Sequence, residues 1–126
     1  MKAWLTGSIS GLAIVATGFG VMRAQQGGPQ TQRFPQFEND DVKVWRSVVV
    51  PNSPLALHRH DHPRVIIALN GGTMKIEEQN GPSETHVWES GRAYWLPANR
   101  PNTLHVDVNA GDKPIDVMVV ELKHEQ

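Results

Sequence analysis

Short strand-forming segments, most of them closed by proline, glycine or asparagine, fill the chain from residue 42 to residue 122. The segments are 42–50, 55–60, 64–69, 73–78, 84–89, 93–96, 103–108 and 115–122. Turn signals such as Asn80-Gly81-Pro82 separate them, as expected for hairpins. No long helical period interrupts this region. About eight strands at this spacing predict an antiparallel, all-β sandwich or small barrel.

The first 24 residues differ in composition from the rest. Lys2 is the only charged residue before Arg23, and the residues between them are apolar or small. A basic start followed by an apolar stretch is typical of a secretory signal. The stretch is also just long enough to cross a bilayer as an uncleaved anchor. We therefore predict a signal peptide or membrane anchor over 1–24, and an exported protein that is periplasmic or secreted.

Residues 25–36 are rich in glutamine and contain one large apolar residue, Phe34. Such a composition predicts a disordered linker, with a single folded domain over 37–126. The chain has no cysteine, which excludes disulfides and thiolate ligands. Its net charge of −1 creates no strong field for nucleic acid. We expect no nucleic-acid partner, and membrane contact only through the N-terminal segment.

Three histidines carry the strongest indication of function. His58 and His60 are separated by one residue, and His105 lies in a distant predicted strand. Residues two apart on a strand point to the same side, so two rings can face one point inside a barrel and a third can complete the site. Neutral imidazole is the commonest protein metal ligand. These residues predict one divalent transition metal (Fe, Mn, Ni or Zn), and the alternative is three unrelated histidines.

The histidines also lie in two motifs that resemble those of a known family. The matching residues are His58, His60 and Gly71 in the first motif, and Gly91, Pro97, His105 and Asn109 in the second. From about residue 39 to residue 123 the chain is similar to small single-domain bacterial cupins. The resemblance implies a double-stranded β-helix, or jelly-roll barrel, that follows the N-terminal segment. Some similar stand-alone cupins carry names that refer to β-alanine breakdown.

One departure from the family pattern bears on function. Arg64 stands where the first motif has a glutamate, which is usually the fourth metal ligand. The resemblance implies that this position points into the barrel beside the metal, yet arginine stays protonated and cannot bind a cation. In one interpretation the three histidines hold the metal alone, and Arg64 pairs with a substrate carboxylate. In the other, Arg64 replaces the metal in function and the pocket binds anions.

The favoured function is a three-histidine, metal-dependent oxygenase or isomerase that acts on a small anionic compound. A dioxygenase is the specific enzyme class considered, with Arg64 as its catalytic residue beside the metal. The alternative is a non-catalytic periplasmic cupin that binds or senses a small anionic ligand. Exposed edge strands also favour a homodimer.

Several further residues have alternative roles in or near the site. His62 is either a solvated turn histidine or a fourth ligand, and the turn role is favoured. Asn99 and Asn102 either form turns or orient His105, whereas Asn109 is expected to support the turn after its strand. The residues assigned to the core or the surface are Trp45, Trp88, Tyr94 and Trp95 (core), and His86 and His124 (surface).

Overall fold

The computed structural model describes residues 29–124 of the 126-residue chain. The strands within this range are β1 (Gln32–Glu38), β2 (Val42–Val49), β3 (Leu55–His58), β4 (Arg64–Asn70), β5 (Gly72–Glu78), β6 (Ser83–Trp88), β7 (Ala93–Leu96), β8 (His105–Asn109) and β9 (Ile115–Leu122). Each predicted segment corresponds to one of these strands, and the all-β prediction is confirmed. Within the described range no helix is long and apolar enough to cross a membrane. The predicted signal or anchor over 1–24 lies outside that range.

Two antiparallel sheets form the domain. One has the strand order β1-β2-β9-β4-β7, and the other has the order β3-β8-β5-β6. Strands that are distant in the sequence therefore lie side by side, as β2 does with β9 and β3 with β8. Interleaving of the two halves of the chain in this way is the double-stranded β-helix of a jelly roll, as the sequence predicted.

Strand β1 corrects the predicted linker over 25–36. Residues 32–36 are extended and pair with β2, with Gln32 opposite Val48. The composition predicted disorder because these residues bury little apolar surface, and they are indeed all exposed. Their order comes instead from backbone pairing with the edge of β2, which would otherwise stay open. The guanidinium of Arg33 also lies over the Trp45 ring, 5.1 Å from its centroid.

The core lies between the two sheets, because alternate residues of each strand face inward. On β9 the buried positions are Ile115, Val117 and Val119. The rest of the apolar core includes Trp45, Val49, Ile66, Ala68, Met74, Ile76, Trp88 and Leu96. Alternation also explains one wrong prediction, because Tyr94 packs against this core while Trp95, the next residue on β7, is 57% exposed.

Asn109 ends β8 and fastens the turn to β9, as the sequence predicted. Its side-chain amide donates to the carbonyl oxygens of Val49 (2.8 Å) and Lys113 (2.7 Å). Its side-chain oxygen accepts from the backbone N–H of Gly111 at 2.9 Å. All these bonds are shielded, since Asn109 is only 5% exposed.

Replacing Asn109 with alanine should lower the free energy of unfolding by roughly 2–4 kcal/mol, because two buried carbonyl oxygens would lose their hydrogen-bond donor. Urea denaturation would measure the change. Asn80→Ala, in the exposed turn between β5 and β6, is the matched control and should change stability by less than about 0.5 kcal/mol. Equal effects of the two substitutions would contradict this role for Asn109.

Candidate metal centre

The pairing of β3 with β8 brings the three histidine rings together. His58 ends β3 directly opposite His105, which begins β8, and their ring centroids are 4.4 Å apart. The His60 ring lies 4.9 Å from that of His58 and 5.5 Å from that of His105. One ring nitrogen of each lies within 4.8 Å of the others. The structure thus groups the residues chosen from the sequence, and their role as ligands stays a prediction.

His60 reaches this cluster from the loop after β3, and strand alternation does not place it. Its backbone N–H donates to the Asn99 side-chain oxygen at 2.6 Å, and its carbonyl accepts from the Asn99 N–H at 2.8 Å. Its ring stacks parallel to Trp45, with centroids 6.0 Å apart. Asn99, which the sequence suggested as a partner for His105, therefore positions His60.

Two acidic side chains border the rings, and the sequence analysis identified neither. Glu121 on β9 accepts a hydrogen bond from Nδ1 of His60 at 2.9 Å. Asp107 on β8 has one carboxylate oxygen 3.4 Å from Nε2 of His105 and the other 3.6 Å from Nε2 of His58. The spacing His105-Val106-Asp107 was a usable signal for Asp107, because residues two apart on a strand share a face. Glu121 carried no local signal.

Several polar atoms of this cluster are buried without a hydrogen-bond partner among residues 29–124. They are Nε2 of His58, both ring nitrogens of His105 and one carboxylate oxygen of Asp107. A buried polar atom left unpaired costs about 1–3 kcal/mol, so such a group is unusual in a native interior. A cation among these atoms would satisfy lone pairs that no protein donor reaches. The donor set therefore fits a divalent metal, and imidazole nitrogen is the ligand type that transition metals accept.

The surroundings favour the unprotonated form of His60 and His105, which is the form that binds metals. Burial lowers the pKa of His105 to about 3, and the neighbouring charges of His58, His60 and Arg64 act in the same direction. Burial also lowers the pKa of His60, although its hydrogen bond to Glu121 opposes the shift. Burial alone would raise the pKa of Glu121, but the hydrogen bond with His60 and the charge of Arg64 lower it overall.

Arg64 points into the barrel, where the family resemblance placed it. It is buried and donates from Nη1 to the Pro97 carbonyl at 3.3 Å. Within the described range it makes no direct ion pair with a carboxylate, although the charges of Asp107 and Glu121 raise its pKa against the lowering by burial. Since a guanidinium carries five N–H groups, most of its donor capacity is left for a ligand.

Two spaces meet at Arg64. An internal cavity of about 30 Å³ lies between the sheets, with His60, Arg64 and Asp107 among its lining residues. An open cleft of about 240 Å³ lies outside it, lined by Arg64, the loop 97–100 and side chains of β5 and β6 that include His86. The cavity has room for about one water molecule, whereas the cleft can receive a small organic molecule. Arg64 therefore borders both the cleft and the cavity that reaches His60.

The remaining histidines lie outside the ring cluster. His62 is half-buried in the bend before β4, and its charge helps to lower the pKa of Glu121, so it is not the fully solvated residue favoured from the sequence. His86 on β6 lies 3.2 Å from the Glu84 carboxylate at the cleft, and His124 is exposed, as expected for surface residues. The only group of potential metal ligands within residues 29–124 is the three-ring cluster.

The architecture is similar to that of several solved structures. Solved structures that resemble it include a cupin domain from Bordetella pertussis (TM-score 0.65, 24% identity, 78% of this chain and 98% of that one). Another is an RmlC-like cupin with a double-stranded β-helix fold from Methanocaldococcus jannaschii (TM-score 0.58, 14% identity, 75% and 81%). The chain has the cupin fold. The chain matches no protein-family model.

The chain is also similar to the beta-alanine degradation protein BauB of Pseudomonas aeruginosa. The two are 28% identical over 97 residues, which cover 77% of this chain and 98% of the relative. The match therefore spans nearly the whole length of the Pseudomonas protein. Together, the cupin fold and the cluster of three histidines are compatible with a bound divalent metal ion.

The lowered pKa of His105 predicts a specific loss of stability in acid. An unfolded histidine takes up a proton near pH 6.5, whereas folded His105 stays neutral until about pH 3. The metal-free protein should therefore lose stability as the pH falls below about 6.5, by about 3 kcal/mol at pH 4.5 from this group. Urea denaturation of chelator-treated protein across this range would measure the slope.

The slope should be clearly smaller in His105→Gln, which cannot take up the proton. His124→Gln, at an exposed position, is the control and should keep the wild-type slope. A His105→Gln protein with an unchanged slope would contradict the assignment.

Proposed function

We propose that this cupin binds one divalent transition metal through His58, His60 and His105. The observation that supports the proposal is the convergence of three rings on one point, where Nε2 of His58 and both ring nitrogens of His105 have no hydrogen-bond partner among residues 29–124. When bound, such a metal supplies Lewis acidity or a site for O₂ activation. Imidazole ligands suit Fe, Ni or Zn, and Mn is accepted where oxygen ligands take part.

The protein itself orients the imidazole rings of His58 and His60 through hydrogen bonds that do not depend on a metal. The carbonyl oxygen of Ala56 can only accept, so its contact with Nδ1 of His58 assigns the proton to that nitrogen and leaves Nε2 for the ion. Glu121 acts in the same way on Nδ1 of His60. A carboxylate bonded to a ligating histidine orients the ring and increases its basicity. Metal binding then requires little rearrangement of these rings.

We propose further that Arg64 binds the carboxylate of a small anionic ligand. Its guanidinium faces both the internal cavity and the cleft, and a planar fork suits a carboxylate. Trp45 lines the same cavity, and its buried indole N–H has no acceptor among residues 29–124. These donors favour a negatively charged ligand that enters by the cleft. The proposed reaction is oxidation or isomerisation of such a compound, with a dioxygenase as one form.

A non-catalytic role is the second candidate, and the small size of the internal cavity favours it. At about 30 Å³ the space beside the histidines does not hold an organic substrate unless side chains move. In that case the cleft and Arg64 would bind an anion, and the protein would act as a periplasmic binder or sensor. Export rests on the composition of residues 1–24, and a homodimer on the edge strands; both are part of the proposal.

Purified protein loaded with Fe, Mn, Ni or Zn and then desalted should retain about one equivalent of metal per chain. His105→Ala and His58→Ala should each lose most of it, since both substitutions remove an inward nitrogen. Elemental analysis would measure the content. His86→Ala, which removes a histidine outside the cluster, should retain the metal. A wild-type protein that retains no metal would refute the proposed centre.

Replacing Arg64 with glutamine should weaken binding of small carboxylates. A panel of acetate, malonate, benzoate and β-alanine, the last suggested by the name of the Pseudomonas relative, can be screened by thermal shift and calorimetry. Loss of a charged, bidentate partner should weaken binding by roughly 10- to 100-fold. Arg92→Gln, at an exposed turn, should bind as the wild type does. Equal binding by wild-type and Arg64→Gln proteins would contradict this role.

Oxygen uptake in the same panel separates the two candidates. Uptake that depends on both the loaded metal and a particular carboxylate supports an oxygenase. Isomerisation consumes no oxygen, so an isomerised product is sought separately by NMR. Ligand binding with neither oxygen uptake nor an isomerised product supports the binding role.

A further inference from the structure

We infer that Asp107 is a fourth metal ligand, which supplies from β8 the carboxylate that Arg64 displaced from β4. The inference rests on the proposed three-histidine centre and extends it to a residue that neither cupin motif contains. Asp107 lies two residues after His105 on the same strand, and it lines the same internal cavity as His60 and Arg64.

Two separations between Asp107 and the histidines are close to those of ligands on one ion. Metal–nitrogen and metal–oxygen bonds of about 2.0–2.2 Å at tetrahedral angles separate the donor atoms by about 3.3–3.5 Å. The carboxylate oxygens of Asp107 lie 3.4 Å from Nε2 of His105 and 3.6 Å from Nε2 of His58. Both separations are too long for good hydrogen bonds, and both are close to the distance between neighbouring ligands.

The chemistry of the facing atoms also favours a cation between them. A carboxylate only accepts, and Nε2 of His58 carries a lone pair when Nδ1 donates to the Ala56 carbonyl. Two acceptors therefore face each other in a space without a protein donor. One oxygen of Asp107 and Nε2 of both His58 and His105 have no hydrogen-bond partner among residues 29–124. An ion within this triangle would satisfy all three at once.

A purely electrostatic role for Asp107 explains less of the structure. Arg33 and Arg64 are both near enough for its charge to raise their pKa values. Neither guanidinium, however, forms a direct ion pair with Asp107 in the described part of the chain. Its carboxylate is directed at the imidazoles instead. With Asp107 included, the donor set becomes three nitrogens and one carboxylate oxygen, which Fe, Mn and Zn all accept.

The test is metal affinity and coordination in Asp107→Ala and Asp107→Asn. Asparagine keeps the side-chain shape, so it guards against a folding defect in the alanine variant. Asp112→Ala, in the exposed turn between β8 and β9, is the matched control. Affinity for Zn²⁺ is measured by competition with a chromophoric chelator, and the visible spectrum of the Co²⁺-loaded protein reports the ligand set.

We expect both Asp107 variants to bind Zn²⁺ at least about 100-fold more weakly, beyond the 10- to 100-fold typical of losing a residue that only supports a ligand. The Co²⁺ bands should shift in both variants, and the control should match the wild type. An unchanged Co²⁺ spectrum, or an affinity within tenfold of the wild type, would overturn the inference and leave the three-histidine centre intact. Absence of metal binding by the wild type would instead refute the centre itself.

Discussion

The pairing of β3 with β8 is the constraint on which the site depends. It places His58 directly opposite His105, and β8 is held from its other side by β5, where Glu78 lies opposite His105. A slip of β8 by one residue would turn the His105 side chain to the opposite face of the sheet. Because both neighbours of β8 fix the same register, the position of His105 is set by backbone hydrogen bonds before any metal is present.

Polar groups at this end of the barrel are tolerated because they compensate one another. Two carboxylates, Asp107 and Glu121, lie among two guanidiniums, Arg33 and Arg64. Burial lowers the pKa of both guanidiniums and the two carboxylate charges oppose that shift, while the charge of Arg64 helps to lower the pKa of Glu121. Burying isolated charges would cost several kcal/mol each, so the opposite signs are needed together. The apolar side chains of β9, which begin with the fully shielded Ile115, supply the burial that holds the sheets together.

The fold could be predicted well from the sequence because turn residues and alternation are local signals. Turn residues and alternation located eight of the nine strands found between residues 29 and 124, and two short motifs indicated both the barrel and its histidines. The prediction failed for β1, where the partner strand and not the strand's own composition provides the order. Neighbouring aromatics such as Tyr94 and Trp95 were both assigned inward although alternation allows only one.

The site was only partly predictable for a related reason. The two-residue spacing from His105 made Asp107 recognisable. The family motif, however, predicts a carboxylate ligand at position 64, where this chain has arginine, and does not specify position 107. Glu121 and Asn99 act on His60 across 61 and 39 residues of sequence, and only the folded pairing of β4 with β9 and the path of the loop 97–100 reveal those contacts. Long-range contacts of this kind leave no periodic trace in one sequence.

Moving the carboxylate from β4 to β8 would separate two tasks that the usual cupin motif keeps close together. In the proposed centre, Asp107 and the histidines hold the ion from the sheet that contains β3 and β8, while position 64 on the opposite sheet is free to face the cleft. A guanidinium there repels the bare ion, and a carboxylate ligand on β8 offsets that repulsion. Substitutions at position 64 could then alter ligand choice while the metal donors remain unchanged. Arginine at this position is therefore compatible with a metal centre, provided that another strand supplies the negative charge.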